Sequence, residues 1–169
     1  DKTLYIPTLF CSYDGSALDK KTPLLRSIDA LNKAAVRLYN IMGHNIKNIT
    51  VTVGPEQEYF LIDKEMYKKR LDLMVTGRTL FGTDPVKGQE LDDHYFGNIE
   101  ERVKAYMEEV DEELWKLGVY AKTEHKEVAP CQFEIAPVYS PVNLANDQNQ
   151  ITMEICKKLQ IIMPGLSIT

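Results

Sequence analysis

Four glutamates in two extended, proline-interrupted stretches constrain this chain most. Glu56 and Glu58 stand in Gly54-Pro55-Glu56-Gln57-Glu58-Tyr59-Phe60. Glu127 and Glu134 bracket Val128-Ala129-Pro130-Cys131-Gln132-Phe133. In a strand, side chains alternate between faces, so Glu56 and Glu58 share one face while Gln57, Tyr59 and Leu61 take the other. With a rise of ~3.3 Å per residue, neighbours at i and i+2 sit about 7 Å apart, within reach of a common ion. Carboxylates brought to ~4 Å repel by about 4 kcal/mol at an effective dielectric near 20. A fold that gathers them must neutralise them by protonation or by cations. Glutamate oxygens suit hard divalent ions, Mg2+ or Mn2+, which keep waters and bind alongside phosphates.

Parity sets a condition on that meeting. Glu127 and Glu134 are an odd number of residues apart, and one straight strand would put them on opposite faces. Glu134 shares a face with Gln132, opposite Phe133 and Ile135. The strand patterns over 119–127 and 132–139 therefore have to be separated by a break, and Pro130 is where the sequence offers one. The competing reading of all four glutamates is surface charge on wet strand faces.

The rest of the chain reads as support. Residues 4–10 form a short apolar strand candidate, followed by a turn over 12–16. A helix comes next, with Thr22 as N-cap, Pro23 in its first turn and Gly43 at its end. Leu24, Ile28, Leu31, Ala35, Leu38 and Met42 recur at helical spacing, a stripe expected to pack. Residues 49–53 read as a strand broken by Gly54-Pro55, and 56–62 resume it. Residues 64–95 form a long mixed connection with one helical turn expected over 66–73. A second helix is expected over 98–117, with Asn98 and Glu101 as a capping box and Gly118 as its stop. Its stripe is Ile99, Val103, Tyr106, Val110, Leu114 and Leu117. Glu100, Glu101, Glu108, Glu109, Glu112 and Glu113 fall on its wet side. A third helix is expected over 141–162, capped by Asn143, with Ile151, Ile155, Leu159 and Ile162 as its stripe and Pro164-Gly165 as its end.

Bulk properties bound the partners. The 169 residues suffice for a sizeable core, and 44% hydrophobic with 27% charged residues is ordinary for a globular domain. The net charge of −5 and the lack of a basic patch argue against nucleic acid or an anionic membrane as partner. No apolar run approaches the roughly 20 residues of a membrane span. The first residues do not resemble a signal peptide and read as the interior of a longer protein. Cys11, Cys131 and Cys156 are odd in number and far apart, which fits reduced thiols in the cytoplasm. Cys11 and Cys156 read as small buried hydrophobes, and Cys131 as structural. There is no phosphate loop, dinucleotide fingerprint or CxxC pair.

Residues 54–63 resemble the first metal-binding signature of glutamine synthetase, and His125-Lys126-Glu127-Val128-Ala129-Pro130-Cys131-Gln132-Phe133-Glu134 resembles its second. The resemblance is closest to the type III, large-subunit branch. Lys21-Thr22-Pro23-Leu24-Leu25, Thr76-Gly77-Arg78-Thr79-Leu80-Phe81-Gly82, Lys87-Gly88-Gln89, Asp93-His94-Tyr95-Phe96-Gly97 and Ala145-Asn146-Asp147-Gln148-Asn149-Gln150 are similar to that branch as well. It runs from the first residues to about Lys158, and then the sequence departs.

The resemblance implies an α+β fold, part of a glutamine synthetase catalytic domain over 1–158 with a curved antiparallel sheet backed by helices, and a divergent tail over 159–169. It implies an ATP-dependent cytoplasmic ligase forming glutamine from glutamate and ammonia through γ-glutamyl phosphate, homo-oligomeric at full length. It assigns Glu58, Glu127 and Glu134 to one divalent ion, and Glu56 to another beside the ATP phosphates. The family's arginines, its second-metal histidine and its catalytic glutamate loop belong to segments outside this chain. An inactive fragment with one metal site and an open, self-associating sheet edge is the expectation. The alternative is a non-catalytic cation-binding fragment or structural module.

Overall fold

The computed structural model describes residues 2–83, 90–91, 93–162 and 166–168. They form helices and antiparallel sheets in two compact units. Asp84-Pro85 and the Lys87-Gly88-Gln89 motif lie outside the described residues, as does Pro164-Gly165.

The first unit comprises residues 1–53 and 139–147. Its main element is helix α1, Lys21–Ile41. The helix begins ahead of the expected Thr22, because Asp19 does the capping. One Asp19 oxygen accepts the Thr22 N–H at 2.9 Å, and the other accepts the Phe10 N–H at 2.8 Å. These bonds hold the Asp19 carboxyl below its usual range. Thr22 instead sits inside the helix, buried, its hydroxyl on the Phe10 carbonyl at 3.2 Å. Gly43 closes the helix at φ 90, as its position suggested. Lys21 and Asp147 pair at 2.5 Å.

Several expectations for this unit fail wholly or in part. Residues 4–10 form no strand, and Leu4, Ile6 and Phe10 are exposed. An apolar run becomes a strand only where a partner edge exists, and an isolated bridge, Cys11 to Ala17, is all that pairs here among the described residues. The α1 stripe packs only in part, with Leu24, Ile28 and Ala35 half-buried. Leu31, Leu38 and Met42 are about half exposed or more, at 49%, 56% and 63%. Cys11 is exposed rather than buried. The strand read over 49–53 shortens to β1, Thr52–Val53.

The second unit comprises residues 54–138 and 148–169 and carries the glutamates. Its sheet holds β2 (Gln57–Asp63), β3 (Ala121–Lys126), β4 (Gln132–Pro137) and β6 (Leu166–Ile168), in the order β3-β4-β2-β6, with neighbouring strands antiparallel. The remaining strand, β5 (Ser140–Pro141), pairs with β1 in the first unit. The tail supplies β6: Leu61, Ile62 and Asp63 pair with Ile168, Ser167 and Leu166. The β2 edge expected to lie open is therefore covered.

One face of this sheet is the core. Alternation turns Tyr59 and Leu61 of β2 and Phe133 and Ile135 of β4 onto helices α4 (Glu101–Trp115) and α5 (Val142–Ile162). The α4 stripe is as expected over Val103, Tyr106, Val110 and Leu114, which are buried and joined by Met107, whereas Ile99 and Leu117 lie outside the helix and Leu117 is exposed. Burying a side chain of this size contributes roughly 1.5–3 kcal/mol. The Tyr106 hydroxyl donates to the Cys156 carbonyl at 2.9 Å, which removes the cost of burying it. Ile155 and Leu159 seal the α5 side, and Cys156 is buried as expected. The capping box is absent: Glu100 is the N-cap and its carboxylate takes the Arg102 Nε at 3.0 Å. Asn143 lies within α5, with its Oδ1 buried and without a hydrogen-bond partner among the described residues. Glu124 also faces this side, opposite Ile135, and desolvation with the nearby Asp111 charge pushes it up to about 7.

The 64–95 connection holds two short helices where one turn was expected, α2 (Lys64–Tyr67) and α3 (Leu71–Thr76). Asp63 caps α2 by accepting the N–H groups of Glu65 and Met66. Asp72 organises the segment from Arg70 to Phe81. Its oxygens take Arg70 Nε at 2.9 Å, Arg70 Nη2 at 2.6 Å and the Leu80 N–H at 3.0 Å. The Thr76-Gly77-Arg78-Thr79-Leu80-Phe81 motif thus wraps on one aspartate, and Gly77 at φ 69 lets the chain turn back.

Candidate metal centre

The face of the sheet away from α4 and α5 carries the acidic groups. Glu58 on β2 pairs directly with Glu134 on β4, and Glu134 pairs on its other side with His125 on β3. Directly paired residues share a face, so His125, Glu134 and Glu58 form one row across three strands. Glu127 comes two residues after His125 and returns to the same face.

A tight turn solves the parity problem. Glu127 and Glu134 belong to the two arms of a β-hairpin. The Glu127 N–H donates to the Gln132 carbonyl at 2.8 Å, and the Gln132 N–H to the Ala129 carbonyl at 3.2 Å. Pro130 comes after Ala129, and Cys131 takes φ 61. Proline first and a left-handed residue second is the type II pattern. The break expected at Pro130 is shared with Cys131, which is exposed and structural. The Cys131 carbonyl also accepts the Leu61 N–H at 3.0 Å, tying the turn to β2.

His125 Nε2 lies 3.0 Å from Glu127 Oε1. One donor atom each from His125, Glu127 and Glu134 lie within 4.8 Å of one another. Glu134 is 6% exposed although it faces away from the core. Desolvation, then the Glu56 charge, raises its carboxyl pKa, and His125 opposes the rise. His125 offsets that rise only in part, and a divalent ion is the kind of charge that would offset it further. The donors present fit a divalent cation.

Glu58 lies beside this group rather than in it. It is exposed, and its Oε2 accepts from the Gln132 side-chain amide. Glu56 precedes β2, is exposed, and reaches the site through its charge on Glu134.

Two residues of the site were not singled out by sequence reasoning. His125 could have been: it stands two residues before Glu127, and period 2 puts both on one face. Tyr95 could not, because its place depends on a 3-10 turn, His94–Phe96, lying against β3. Its ring centroid is 6.3 Å from that of His125. The Glu127 charge, together with a hydrogen bond to Glu127, raises the Tyr95 phenol pKa. Lys126 helps hold this turn, its Nζ 3.5 Å from the carbonyls of His94 and Glu127. Its stem passes so close to Gly97 that a Cβ there would meet Lys126 Cε at 2.9 Å. His94 itself is not among the clustered donors.

Residues 32–161 match the model of the family described as glutamine synthetase, catalytic domain. Residues 1–27 match the one described as glutamine synthetase type III N terminal. A glutamine synthetase of Butyrivibrio fibrisolvens is 56% identical over 160 residues, which are 94% of this chain and 23% of that protein. A type-3 glutamine synthetase of Dictyostelium discoideum is 47% identical over 157 residues, 92% of this chain and 21% of that protein. The chain thus spans less than a quarter of these relatives. A Plasmodium falciparum glutamine synthetase solved by cryo-electron microscopy is similar in fold, with a TM-score of 0.57 at 18% identity over 93% of this chain and 32% of that one. The catalytic-domain match takes in well over half of the sequence, and on that ground this chain belongs to the glutamine synthetase family.

Proposed function

We propose that this chain is part of an ATP-dependent ligase that joins ammonia to glutamate through γ-glutamyl phosphate, and that it contributes a divalent-cation site to it. The observation that carries this reading is the convergence of His125, Glu127 and Glu134 within 4.8 Å, in a row continued by Glu58. In this reading Glu58, Glu127 and Glu134 hold one Mg2+ or Mn2+, and Glu56 serves a second ion beside the ATP phosphates. Bound cations would orient oxygen atoms and screen charge during phosphoryl transfer. The chain's own residues do the holding. The hairpin turn aims Glu127 and Glu134 at one point, Gln132 steadies Glu58, and the Tyr95 ring lies beside His125.

The chain alone is proposed to be inactive, since phosphoryl transfer is mostly positioning and electrostatics and the chain spans under a quarter of its curated relatives. The partial catalytic domain is proposed for 1–158 and the tail for 159–169, while the catalytic-domain match itself runs over 32–161 and the type III N-terminal match over 1–27. A cytoplasmic, homo-oligomeric ligase is the proposed setting, and no described helix is long and apolar enough to cross a membrane.

A cation-binding fragment without catalysis is the second reading. It is favoured by a three-donor set that one hairpin completes by itself. Two assays on the purified chain test these readings. Phosphate release dependent on ATP, glutamate and ammonia is expected to be absent, and calorimetric titration with Mn2+ is expected to show binding. Release abolished by Glu58→Ala would overturn the proposed inactivity. Absence of binding by Mg2+ and Mn2+ alike would overturn both readings of the site.

A further inference from the structure

We infer that Lys126 is a positioning residue. Its side chain, lying in the gap beside Gly97, clips the turn over residues 93–97 across the outer edge of β3 and so holds the Tyr95 ring against the site. The inference takes the site reading above as its setting and adds the device that keeps Tyr95 there.

Contact on both faces of one strand carries the argument. β3 is an outer strand of the described sheet. Adjacent residues of a strand project to opposite faces, so His125 takes one face and Lys126 the other. The turn meets both. Tyr95 lies on the His125 side, its ring centroid 6.3 Å from that of the imidazole. The His94 carbonyl is met by Lys126, whose Nζ lies 3.5 Å from it. The same Nζ lies 3.5 Å from the Glu127 carbonyl, so one ammonium bridges the turn and the end of the strand. A turn held this way straddles the strand edge.

Gly97 shows how close the fit is. Its backbone, at φ −64 and ψ 151, is one that any residue adopts, so conformation does not call for glycine. Space does. A Cβ would lie 2.9 Å from Lys126 Cε, 3.0 Å from Lys126 Cδ and 3.3 Å from Asp93 Cβ. The lysine stem could yield only by moving, and moving would draw Nζ off the two carbonyls.

The turn needs such a fastening. Tyr95 and Phe96 are both exposed, so burial does not fix them. His94 holds φ 51, a left-handed conformation that persists only where its surroundings impose it. Lys126 on the His94 carbonyl is a constraint of that kind.

The test uses the whole chain without metal. It holds three histidines, so carbon–proton correlation spectra can follow the His125 ring by itself. Tyr95→Leu gives the His125 signal without its neighbour. Lys126→Met keeps the stem and removes the ammonium, and is expected to carry that signal most of the way to the Tyr95→Leu value. Lys126→Arg keeps donors at the end of the side chain, and is expected to leave it near native. Gly97→Ala is expected to act as Lys126→Met does, and to add nothing in a Lys126→Ala background, where the stem is gone. The Phe96 amide donates to the Asp93 carbonyl at 3.0 Å. Its hydrogen exchange is expected to rise at least about tenfold in Lys126→Met while the α4 amides keep their protection. A His125 signal unchanged in both Lys126→Met and Gly97→Ala, or moved equally by Met and Arg, would overturn the clip. Protection lost across α4 as well would make Lys126 a general stabiliser and overturn it too. Where Lys126→Met fails to fold, Gly97→Ala decides by the same signal. Titration of the native protein with Mn2+ tests the cation reading separately, and its failure leaves the metal-free spectra to decide the clip.

Discussion

Glu58 and Glu134 sit directly opposite each other on adjacent antiparallel strands. Like charges so placed destabilise a sheet by roughly 0.2–1 kcal/mol. The geometry therefore links metal binding to folding. In metal-free buffer Glu134→Gln should raise the thermal midpoint by about 1–3 °C, taking ~2–4 °C per kcal/mol for a chain of this size. Saturating Mn2+ should raise the native midpoint and leave that of the variant where it was. Differential scanning fluorimetry with and without Mn2+ checks both. A variant that melts lower without metal, or gains as much from Mn2+ as the native chain, would show that the pair is not under electrostatic strain.

The hairpin turn stores strain of another kind. Cys131 holds φ 61, a region that costs an L-residue about 1–2 kcal/mol. Glycine would remove that cost and lose part of the gain to unfolded-chain entropy, by about 0.5–1 kcal/mol. Cys131→Gly should therefore raise stability by about 0.5–1 kcal/mol, and Cys131→Val should lower it because a β-branched residue resists positive φ. Urea unfolding of the three proteins gives the order. Equal midpoints for glycine and valine would rule out a left-handed residue at 131.

These residues also show what the sequence could and could not reveal. The α4 stripe and the alternation of β2 were legible because one buried face imposes a strict period, and Val103, Tyr106, Val110, Tyr59 and Leu61 obey it. Parity alone demanded a break between Glu127 and Glu134. It could not say that Cys131 would take the left-handed position, because cysteine carries no such signal. The α1 stripe was read correctly as a helix but packs only over Leu24, Ile28 and Ala35, since periodicity reports an apolar face and not its neighbour. Residues 4–10 fail for the same reason in strand form. Tyr95 enters the site through a contact between a 3-10 turn and β3, and no local pattern encodes that. His125 was legible by period 2 and was passed over beside three more conspicuous carboxylates.

Asp72 should make the 70–81 segment acid-sensitive. Its hydrogen bonds to Arg70 hold its folded pKa well below the ordinary carboxylate value. A depressed folded pKa contributes stability that is complete above the unfolded value of about 3.9 and is lost as pH falls towards the folded one. The difference in stability between native protein and Asp72→Asn should thus be largest above about pH 5 and shrink steadily below about pH 4. Urea unfolding at a series of pH values measures it. Arg70→Lys should weaken the pairing too, because an ammonium cannot match the two-point contact. A difference that stays constant from pH 5 to pH 2.5 would mean the Asp72 charge is not what holds the loop.

The tail should act as an edge guard. The sheet has two outer strands, β3 and β6. β3, with the sequence Ala-Lys-Thr-Glu-His-Lys, carries charge along most of its length, a feature that discourages pairing with another chain. The strand behind β6 is β2, whose sequence Gln-Glu-Tyr-Phe-Leu-Ile-Asp ends in an apolar run. Leu166–Ile168 pairs with that end, from Leu61 to Asp63. Deleting residues 163–169 should free those backbone groups on an apolar strand and promote association. Sedimentation velocity across a concentration series should show the truncated chain gaining mass faster than the intact one. A proline at Ile62 in the truncated chain should reverse part of the effect, since it removes an N–H from the exposed edge. Identical sedimentation of intact and truncated chains would show that β6 does not protect the edge.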